Sequence, residues 1–182
     1  MAQQSDIPYE IFTIDGLYKT EQLDEWSSRI GDCNGDKPFT DRGFKNGKIV
    51  LPAVSGLMWG AIRPHLPDVY TDRNGRRWCF RRASRYVMYA KVSEGQSFPL
   101  HTDTGSELSS TEESRFTVLT YLNDGFGGGN TVFYDDNFIK TVEVMPKKGR
   151  TLVFDIELFH EGQPVLCGEK LWIGTELVCS PL

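Results

Sequence analysis

Short β-type runs separated by turn residues fill the second half of this 182-residue chain, and they constrain its fold more than any other feature. Six runs have the length and the β-branched or aromatic content of strands: 85–92, 115–122, 130–134, 141–145, 150–155 and 170–179. Asn74-Gly75 adds a tight-turn signal just before them. Two predicted helices precede these strands, so we expect helices packed on a β-sandwich or barrel.

The N-terminal part carries the helical patterns. Residues 9–14 predict a short strand, and Thr20 can cap a helix that runs to about Ile30. A loop rich in glycine and charge is predicted over roughly 31–49, and a second helix over 53–63, ended by prolines. The apolar residues at helical spacing are Leu23, Trp26 and Ile30, then Val54, Leu57, Met58 and Ile62. No linker long enough to divide the chain is visible.

Charge and composition narrow the partners. With a net charge of -5, the chain is a poor general binder of nucleic acid, and it has no run of about 20 apolar residues that could span a membrane. The N-terminus lacks the basic and apolar regions of a secretory signal, so we expect an intracellular, cytoplasmic protein. Its cysteines, Cys33, Cys79, Cys167 and Cys179, form no C-x-x-C pair, which indicates reduced thiols rather than a zinc site.

Two of the three histidines stand in informative contexts. In an extended chain, residues two apart point to one face about 6.6 Å apart, so His101 and Asp103 can reach one ion. His160 follows the strand 150–155 after a short loop. Two imidazoles and a carboxylate on one face leave three open positions on an octahedral ion, as in non-haem iron(II) oxygenases. An H-x-D pair alone is more often a surface feature, so the context decides.

Lys170 supplies part of that context. It lies ten residues after His160, where a glycine turn leads back into a strand. A lysine that points into a barrel must meet an anion, because an unpaired buried ammonium is very costly. A dicarboxylate cosubstrate would provide this anion, whereas an arbitrary lysine is more often a solvated strand-edge residue.

Several motifs stand in a fixed order around these residues. They are Tyr89 upstream of Gly95, His101-Thr102-Asp103, Leu119 to Asn123, Gly127 to Phe133, Gly149 to Phe154, His160-Glu161-Gly162, Pro164-Val165 and Gly168-Glu169-Lys170. The segment 85–179 thereby resembles the prolyl 4-hydroxylase-like branch of the iron(II)/2-oxoglutarate-dependent dioxygenases. Residues 1–84 carry no comparable motif.

The resemblance implies a fold and a set of cofactors. The fold is a double-stranded β-helix, or jelly roll: mainly β with flanking α, in a single domain over 1–182. N-terminal helices over about 1–84 support a catalytic β core over about 85–182. His101, Asp103 and His160 would hold Fe(2+), 2-oxoglutarate and O2 would take the open positions, and ascorbate could stimulate the reaction.

The resemblance also implies how 2-oxoglutarate binds. Lys170 would pair with its distal carboxylate, and Tyr89 and Thr131 occupy positions that often hydrogen-bond the same group. The spacing from Tyr89 to His101 is slightly longer than in the family, so Tyr86 competes with Tyr89 for this role.

Alternation along the last strand points to the substrate side. If Lys170 points inward, Trp172 and Glu176 do so as well, and we predict that one of them lines the substrate pocket. The competing and more common interpretation of Trp172 is that it simply fills the core. Substrate affinity and turnover that are unchanged by Glu176→Gln would exclude Glu176.

Two further segments have two interpretations each. The arginine-rich hairpin 73–85 would bind an acidic partner, or it would be a solvated hairpin with ion pairs to nearby acids. The polar segment 104–114 would be a lid over the site, or a plain surface loop.

The predicted function is hydroxylation of a C–H bond, with a prolyl residue of a protein or peptide as first choice and a free amino acid or other small molecule as the alternative. A non-catalytic binding module on the same fold is the alternative of another class, and the complete ligand set with Lys170 argues against it. Cupins usually show H-x-H rather than H-x-D. Nucleic acid demethylases rely on an arginine-rich C-terminal strand, which is absent from 170–179.

Overall fold

The fold follows from a computed structural model that describes residues 10–31, 45–106 and 109–182. Its helices are α1 (Thr20–Gly31) and α2 (Pro52–Ile62), and a 3-10 turn follows α2 over Arg63–His65. The strands of the described residues are β1 (Ile11–Asp15), β2 (Lys45–Val50), β3 (Val69–Thr71), β4 (Arg77–Ala83), β5 (Tyr86–Ser93), β6 (Phe98–His101), β7 (Glu113–Tyr121), β8 (Gly127–Gly128), β9 (Thr131–Tyr134), β10 (Lys140–Val144), β11 (Arg150–Asp155), β12 (Phe159–Gly162), β13 (Val165–Cys167) and β14 (Glu169–Pro181).

Two antiparallel sheets form the jelly roll. The larger sheet runs β1-β11-β7-β14-β4-β3, with β5 paired to β14 and β2 paired to β5. The smaller sheet runs β10-β9-β12-β6, and β8 pairs with β13. This curled, mainly β arrangement with flanking helices confirms the predicted fold class.

Strand β14 is central to the larger sheet. Its first half, from Glu169 to Gly174, pairs with β5, and its second half, from Leu177 to Pro181, pairs with β4. Along its other edge it pairs with β7. One strand therefore carries Lys170, Trp172 and Glu176 along the same face of the barrel.

The helices cover the outer face of the larger sheet. As predicted, α1 buries Leu23, Trp26 and Ile30 in the main hydrophobic core. Thr20 is not its cap, because the carbonyl of Lys19 accepts the first helical hydrogen bond, from the Leu23 N–H. Helix α2 buries Met58 and Ile62 as predicted, but the inclusion of Leu57 in the same apolar stripe was wrong, because Leu57 is 43% exposed. Neither described helix combines the length and the apolar character that a membrane span requires.

The N-terminal part contributes strands as well as helices. The prediction of a loop over 31–49 was wrong for its last five residues, which begin β2 and pair with β5. Glycine and lysine obscure this strand in the sequence, and its pairing with β5 supplies the hydrogen bonds that local propensity does not indicate. Residues 32–44 of the predicted loop, including Cys33, lie outside the described residues; Cys79, Cys167 and Cys179 are free thiols.

The arginine-rich segment 73–85 forms the turn between β3 and β4, the strand β4 itself and the two residues that precede β5. Its turn contains Asn74-Gly75, as predicted, and the Asp72 carboxylate accepts hydrogen bonds from the N–H groups of Asn74 and Arg76. Arg73 pairs with Asp136 and Glu157, and Arg82 pairs with Glu112. These contacts favour the interpretation as a solvated hairpin with ion pairs.

Candidate metal centre

The two histidines of the predicted ligand set lie on paired strands of the smaller sheet. His101 ends β6 and pairs directly with His160 in β12, and their ring centroids are 4.3 Å apart. Asp103 follows two residues after His101, and its Oδ1 lies 3.4 Å from His101 Nε2 and 3.8 Å from His160 Nε2. The three potential ligand atoms all lie within 4.8 Å of one another. The structure therefore brings together all three predicted ligands.

Backbone carbonyls orient both imidazoles. His101 Nδ1 lies 2.7 Å from the Pro99 carbonyl oxygen, and His160 Nδ1 lies 3.0 Å from that of Leu158. A carbonyl oxygen can only accept, so each Nδ1 carries the hydrogen, which leaves the Nε2 lone pairs directed toward Asp103. Asp103 is itself oriented by the Thr117 hydroxyl, which donates to Oδ2 at 2.6 Å.

The charge state of the cluster suits a divalent cation. Burial lowers the pKa of His160, which favours the neutral imidazole that a metal needs. Burial by itself would raise the pKa of Asp103, but the Thr117 hydrogen bond and, when they are protonated, the His101 and His160 imidazoles together lower it. Two neutral imidazoles and one carboxylate, with room beside them, form the donor set of a non-haem iron(II) site.

A cavity of 390 Å³ opens beside these three side chains. Its walls are mainly apolar, with Met88, Phe98, Leu119, Phe154 and Trp172 among the lining residues. His101, Asp103 and His160 lie along one side. The cluster is therefore accessible to a small ligand but is partly enclosed by apolar side chains.

Lys170 lines the same cavity. Its side chain is buried, and Nζ donates to the Gly129 carbonyl oxygen at 2.7 Å. Across residues 10–31, 45–106 and 109–182, no carboxylate lies within ion-pair distance of this ammonium, and burial lowers the pKa of Lys170 to about 8. A buried cation with no anionic side chain beside it is the expected state of a site for an anionic ligand.

The other residues that we predicted to bind the cosubstrate differ in their position relative to the cavity. Thr131, in β9, lines the cavity near Lys170. Tyr89 borders the cavity, but its ring packs against the helix-side core, and its hydroxyl lies where a side chain on Gly47 would be. Tyr86, the competitor, lies between Lys48 and Arg85 and is not among the described lining residues.

Tyr121 is the residue that sequence reasoning missed. It is fully buried, its hydroxyl lies 2.8 Å from Thr131 Oγ1, and its ring centroid is 6.0 Å from Lys170 Nζ. It stands in the Leu119 to Asn123 motif, but nothing local indicates that it faces inward. Its pairing with Trp172 across β7 and β14 places it there.

The two predicted substrate residues also differ. Trp172 lines the cavity, with its ring 6.0 Å from that of Phe98. Glu176 lies on the same face of β14, but its carboxylate is covered by Lys48, Ser106 and Ser114 and is not among the described lining residues. The prediction that one of them lines the cavity therefore points to Trp172.

Comparison with known proteins identifies the family. The sequence profile described as the 2OG-Fe(II) oxygenase superfamily matches residues 84–175, which include the cluster and Lys170. The chain belongs to the 2OG-Fe(II) oxygenase superfamily. It is a 2-oxoglutarate-dependent dioxygenase that uses iron(II), 2-oxoglutarate and dioxygen, as its cluster and cavity suggested. No curated protein sequence matches the chain.

Solved structures share the fold of this oxygenase at low sequence identity. The viral collagen prolyl hydroxylase of Paramecium Bursaria Chlorella virus-1, in complex with 2-oxoglutarate, is 20% identical, with 94% of this chain and 96% of that chain covered and a TM-score of 0.63. A Pseudomonas putida prolyl-4-hydroxylase is 16% identical (93% and 92% covered, TM-score 0.64). A Trichoplax adhaerens prolyl hydroxylase in complex with a hypoxia inducible factor peptide is 16% identical (93% and 84% covered, TM-score 0.66).

Proposed function

We propose that this dioxygenase hydroxylates a C–H bond of a prolyl residue in a protein or peptide. In this proposal His101, Asp103 and His160 hold Fe(II), and Lys170 binds the distal carboxylate of 2-oxoglutarate. The observation that carries the cosubstrate assignment is the buried Lys170 ammonium, which faces the cavity and, among the residues that the structure describes, has a carbonyl oxygen as its one hydrogen-bond partner.

Each residue has a defined task in this mechanism. When bound, iron(II) and 2-oxoglutarate supply the oxidising power for hydroxylation, with succinate and carbon dioxide as co-products. Asp103 would supply the anionic ligand, and the Thr117 hydroxyl donates a hydrogen bond to its second oxygen. Lys170 and the Thr131 hydroxyl, which Tyr121 orients, bind the far carboxylate. Tyr89 borders the same cavity and remains the weaker candidate for this contact.

The substrate assignment has separate support. The solved structures of similar fold described above are prolyl hydroxylases, and they align with nearly the full length of this chain. Trp172, Phe98 and Met88 give the cavity an apolar wall that suits an uncharged ring and excludes water from the reacting centre. We therefore place a prolyl ring against Trp172, with a free amino acid or other small molecule as the alternative.

The direct test is succinate formation from 2-oxoglutarate with Fe(II) in air, over a panel of proline-rich peptides and free amino acids. We expect a peptide of the panel to stimulate succinate formation and to gain the mass of one oxygen atom. Asp103→Ala should lower succinate formation by about a hundredfold or more, because the anionic ligand is lost.

Other outcomes separate the alternatives. Stimulation by free amino acids alone would replace the prolyl assignment and keep the dioxygenase site. If wild type and Asp103→Ala formed equally little succinate with every substrate, a non-catalytic binding module would be favoured.

The affinity for 2-oxoglutarate should depend on pH through Lys170. The ammonium must be protonated to pair with the carboxylate, and its pKa is about 8 before the ligand binds. We expect the affinity to be constant below about pH 8 and to fall by up to about tenfold per pH unit above it. Calorimetry with anaerobic Mn(II) measures this. Lys170→Arg should bind with no such fall up to about pH 10, because the guanidinium stays charged; an equal fall in that variant would contradict Lys170 as the titrating group.

A further inference from the structure

Glu176 is a buried carboxylate next to the metal centre that the proposed mechanism does not use. Its exposed fraction is 3%, and it lies on the inner face of β14. It pairs across the sheet with Thr117, the residue whose hydroxyl donates to Asp103. A carboxylate buried to this degree must be held by several donors, because its desolvation is otherwise too costly.

The donors come from two distant parts of the chain. Glu176 Oε2 accepts hydrogen bonds from the Ser106 backbone N–H at 2.7 Å and from the Ser114 hydroxyl at 2.6 Å. Oε1 accepts from Lys48 Nζ at 3.2 Å and from the Ser106 hydroxyl. We call Glu176, Lys48, Ser106 and Ser114 the Glu176 cluster. A single oxygen of this cluster thus joins both ends of the segment 106–114.

The two ends of that segment are also in close contact. A Cβ added to Gly105 would lie 2.9 Å from the Ser114 Cβ, so only glycine fits there without displacement. Ser109 and Glu112 close a turn further out through a backbone hydrogen bond of 2.8 Å. The described parts of 104–114 are therefore anchored at the base, while residues 107–108 lie outside the described structure.

This anchor is connected to the metal centre on both sides. Ser106 is three residues after Asp103, and Ser114 is three residues before Thr117. Besides its bond with Thr117, Asp103 is held by its own N–H, which donates to the Ile156 carbonyl oxygen at 3.0 Å. The backbone that follows Asp103 is held by Glu176 at Ser106.

We infer that Glu176 is a positioning residue for the metal ligand Asp103. By binding Ser106 and Ser114 through one oxygen, it fixes the chain that leaves Asp103 against the strand that carries Thr117. Lys48, whose side chain is 39% exposed at the border of the cavity, supplies the counter-charge. The inference rests on the proposed metal site for its consequence, but the anchor itself is independent of any metal.

The first test is hydrogen exchange of the Ser106 amide in the metal-free protein, measured by NMR. Wild type should protect this amide, because it donates to a buried carboxylate. Glu176→Gln should raise its exchange rate by about tenfold, since a neutral amide oxygen is a weaker acceptor and one acceptor oxygen is lost. Equal exchange in both proteins would overturn the anchor.

The second test is Mn(II) affinity, measured by electron paramagnetic resonance of the free ion. Supporting hydrogen bonds behind metal ligands are typically worth 10–100-fold in affinity, and we expect Glu176→Gln to weaken binding by about tenfold. Ser114→Ala removes one donor with no change in charge and should weaken it by about fivefold. The double variant should weaken binding by less than the product of the two single effects, because both changes act on the same contact.

Matched controls separate positioning from loop loss and from charge. Glu112→Gln is the same Glu-to-Gln substitution in the same segment. The Glu112 carboxylate pairs with Arg82 at 2.9 Å on the outer side, so this variant should leave Mn(II) affinity unchanged. Lys48→Met keeps both serine contacts of Oε2; positioning predicts a change within about twofold, whereas a purely electrostatic effect predicts tighter binding.

A failure of the proposed metal site can be distinguished from a failure of the positioning role of Glu176. If wild type bound no Mn(II), the proposed metal site would fail, and the Ser106 exchange result would still decide the anchor. If wild type bound Mn(II) and a folded Ser114→Ala matched it, the positioning role would be overturned, even if Glu176→Gln failed to fold.

Discussion

Replacing Lys170 by methionine is expected to abolish 2-oxoglutarate binding and, at the same time, to stabilise the protein. The ammonium is the cationic partner that we assign to the distal carboxylate, and an ion pair of this kind in a buried site dominates affinity. Calorimetry in the presence of Mn(II) should show affinity lower by about a hundredfold or more.

The gain in stability has a different origin. Burial lowers the pKa of Lys170 from 10.5 to about 8, so the charged form is less favourable in the folded state. At pH 7 the buried charge lowers the unfolding free energy of the wild type by about 3 kcal/mol. The variant avoids this cost but loses the hydrogen bond to Gly129, which is worth about 1 kcal/mol. Lys170→Met should therefore be more stable by about 2 kcal/mol in urea at pH 7.

The sign of the pH dependence follows from the same shift. Between about pH 8 and 10.5 the unfolded wild type binds more protons than the folded protein, so wild-type stability rises with pH there and the advantage of the variant should shrink. Lys91→Met is the matched control, because Lys91 lies on the neighbouring strand β5 and pairs with Glu169 at the surface. It should change neither 2-oxoglutarate affinity nor, by more than about 1 kcal/mol, stability. A Lys170→Met protein that bound 2-oxoglutarate normally would refute the assignment of Lys170.

Adding one methyl group at Gly174 is expected to destabilise the protein strongly. Gly174 lies on β14 between Trp172 and Glu176, and a Cβ there would be 2.4 Å from the Val118 carbonyl oxygen. That oxygen belongs to the backbone of β7, so relief requires the two central strands to separate. We expect Gly174→Ala to lower the unfolding free energy by about 3 kcal/mol, measured by urea denaturation.

The same glycine-to-alanine substitution at Gly56 is expected to have the opposite effect on stability. It lies in α2, is exposed, and an added Cβ would have no atom within 4 Å. Gly56→Ala should stabilise the protein by about 1 kcal/mol, because alanine is the better helix former. If both alanine variants were destabilised alike, the contact with Val118 would not be the cause.

How well the sequence predicts a feature of the site depends on how far apart in the chain the residues that form this feature lie. The pair His101 and Asp103 is local, since alternation in an extended chain puts both on one face. The joining of His160 to them was predicted from an ordered set of motifs, and the structure brings it about by pairing β12 with β6. Neither strand was predicted, because each has only four residues and takes its hydrogen bonds from a distant partner.

The sequence by itself predicted the mainly β fold, the candidate donor set of His101, Asp103 and His160, and Lys170 as the candidate cation for the cosubstrate. Strand patterns and ligand chemistry are properties of residues close together in the chain, and motif order is a property of the linear sequence that requires no knowledge of contacts. The tertiary structure decided which neighbours face them. Register across β14 pairs Trp172 with Tyr121 and Ile173 with Tyr89, so Tyr121 faces Thr131 while the Tyr89 ring packs toward the helices. The tertiary structure also covers Glu176 with Ser106 and Ser114. Such neighbours are not evident from the sequence, because side-chain direction in a sheet depends on pairing between segments that are far apart in sequence.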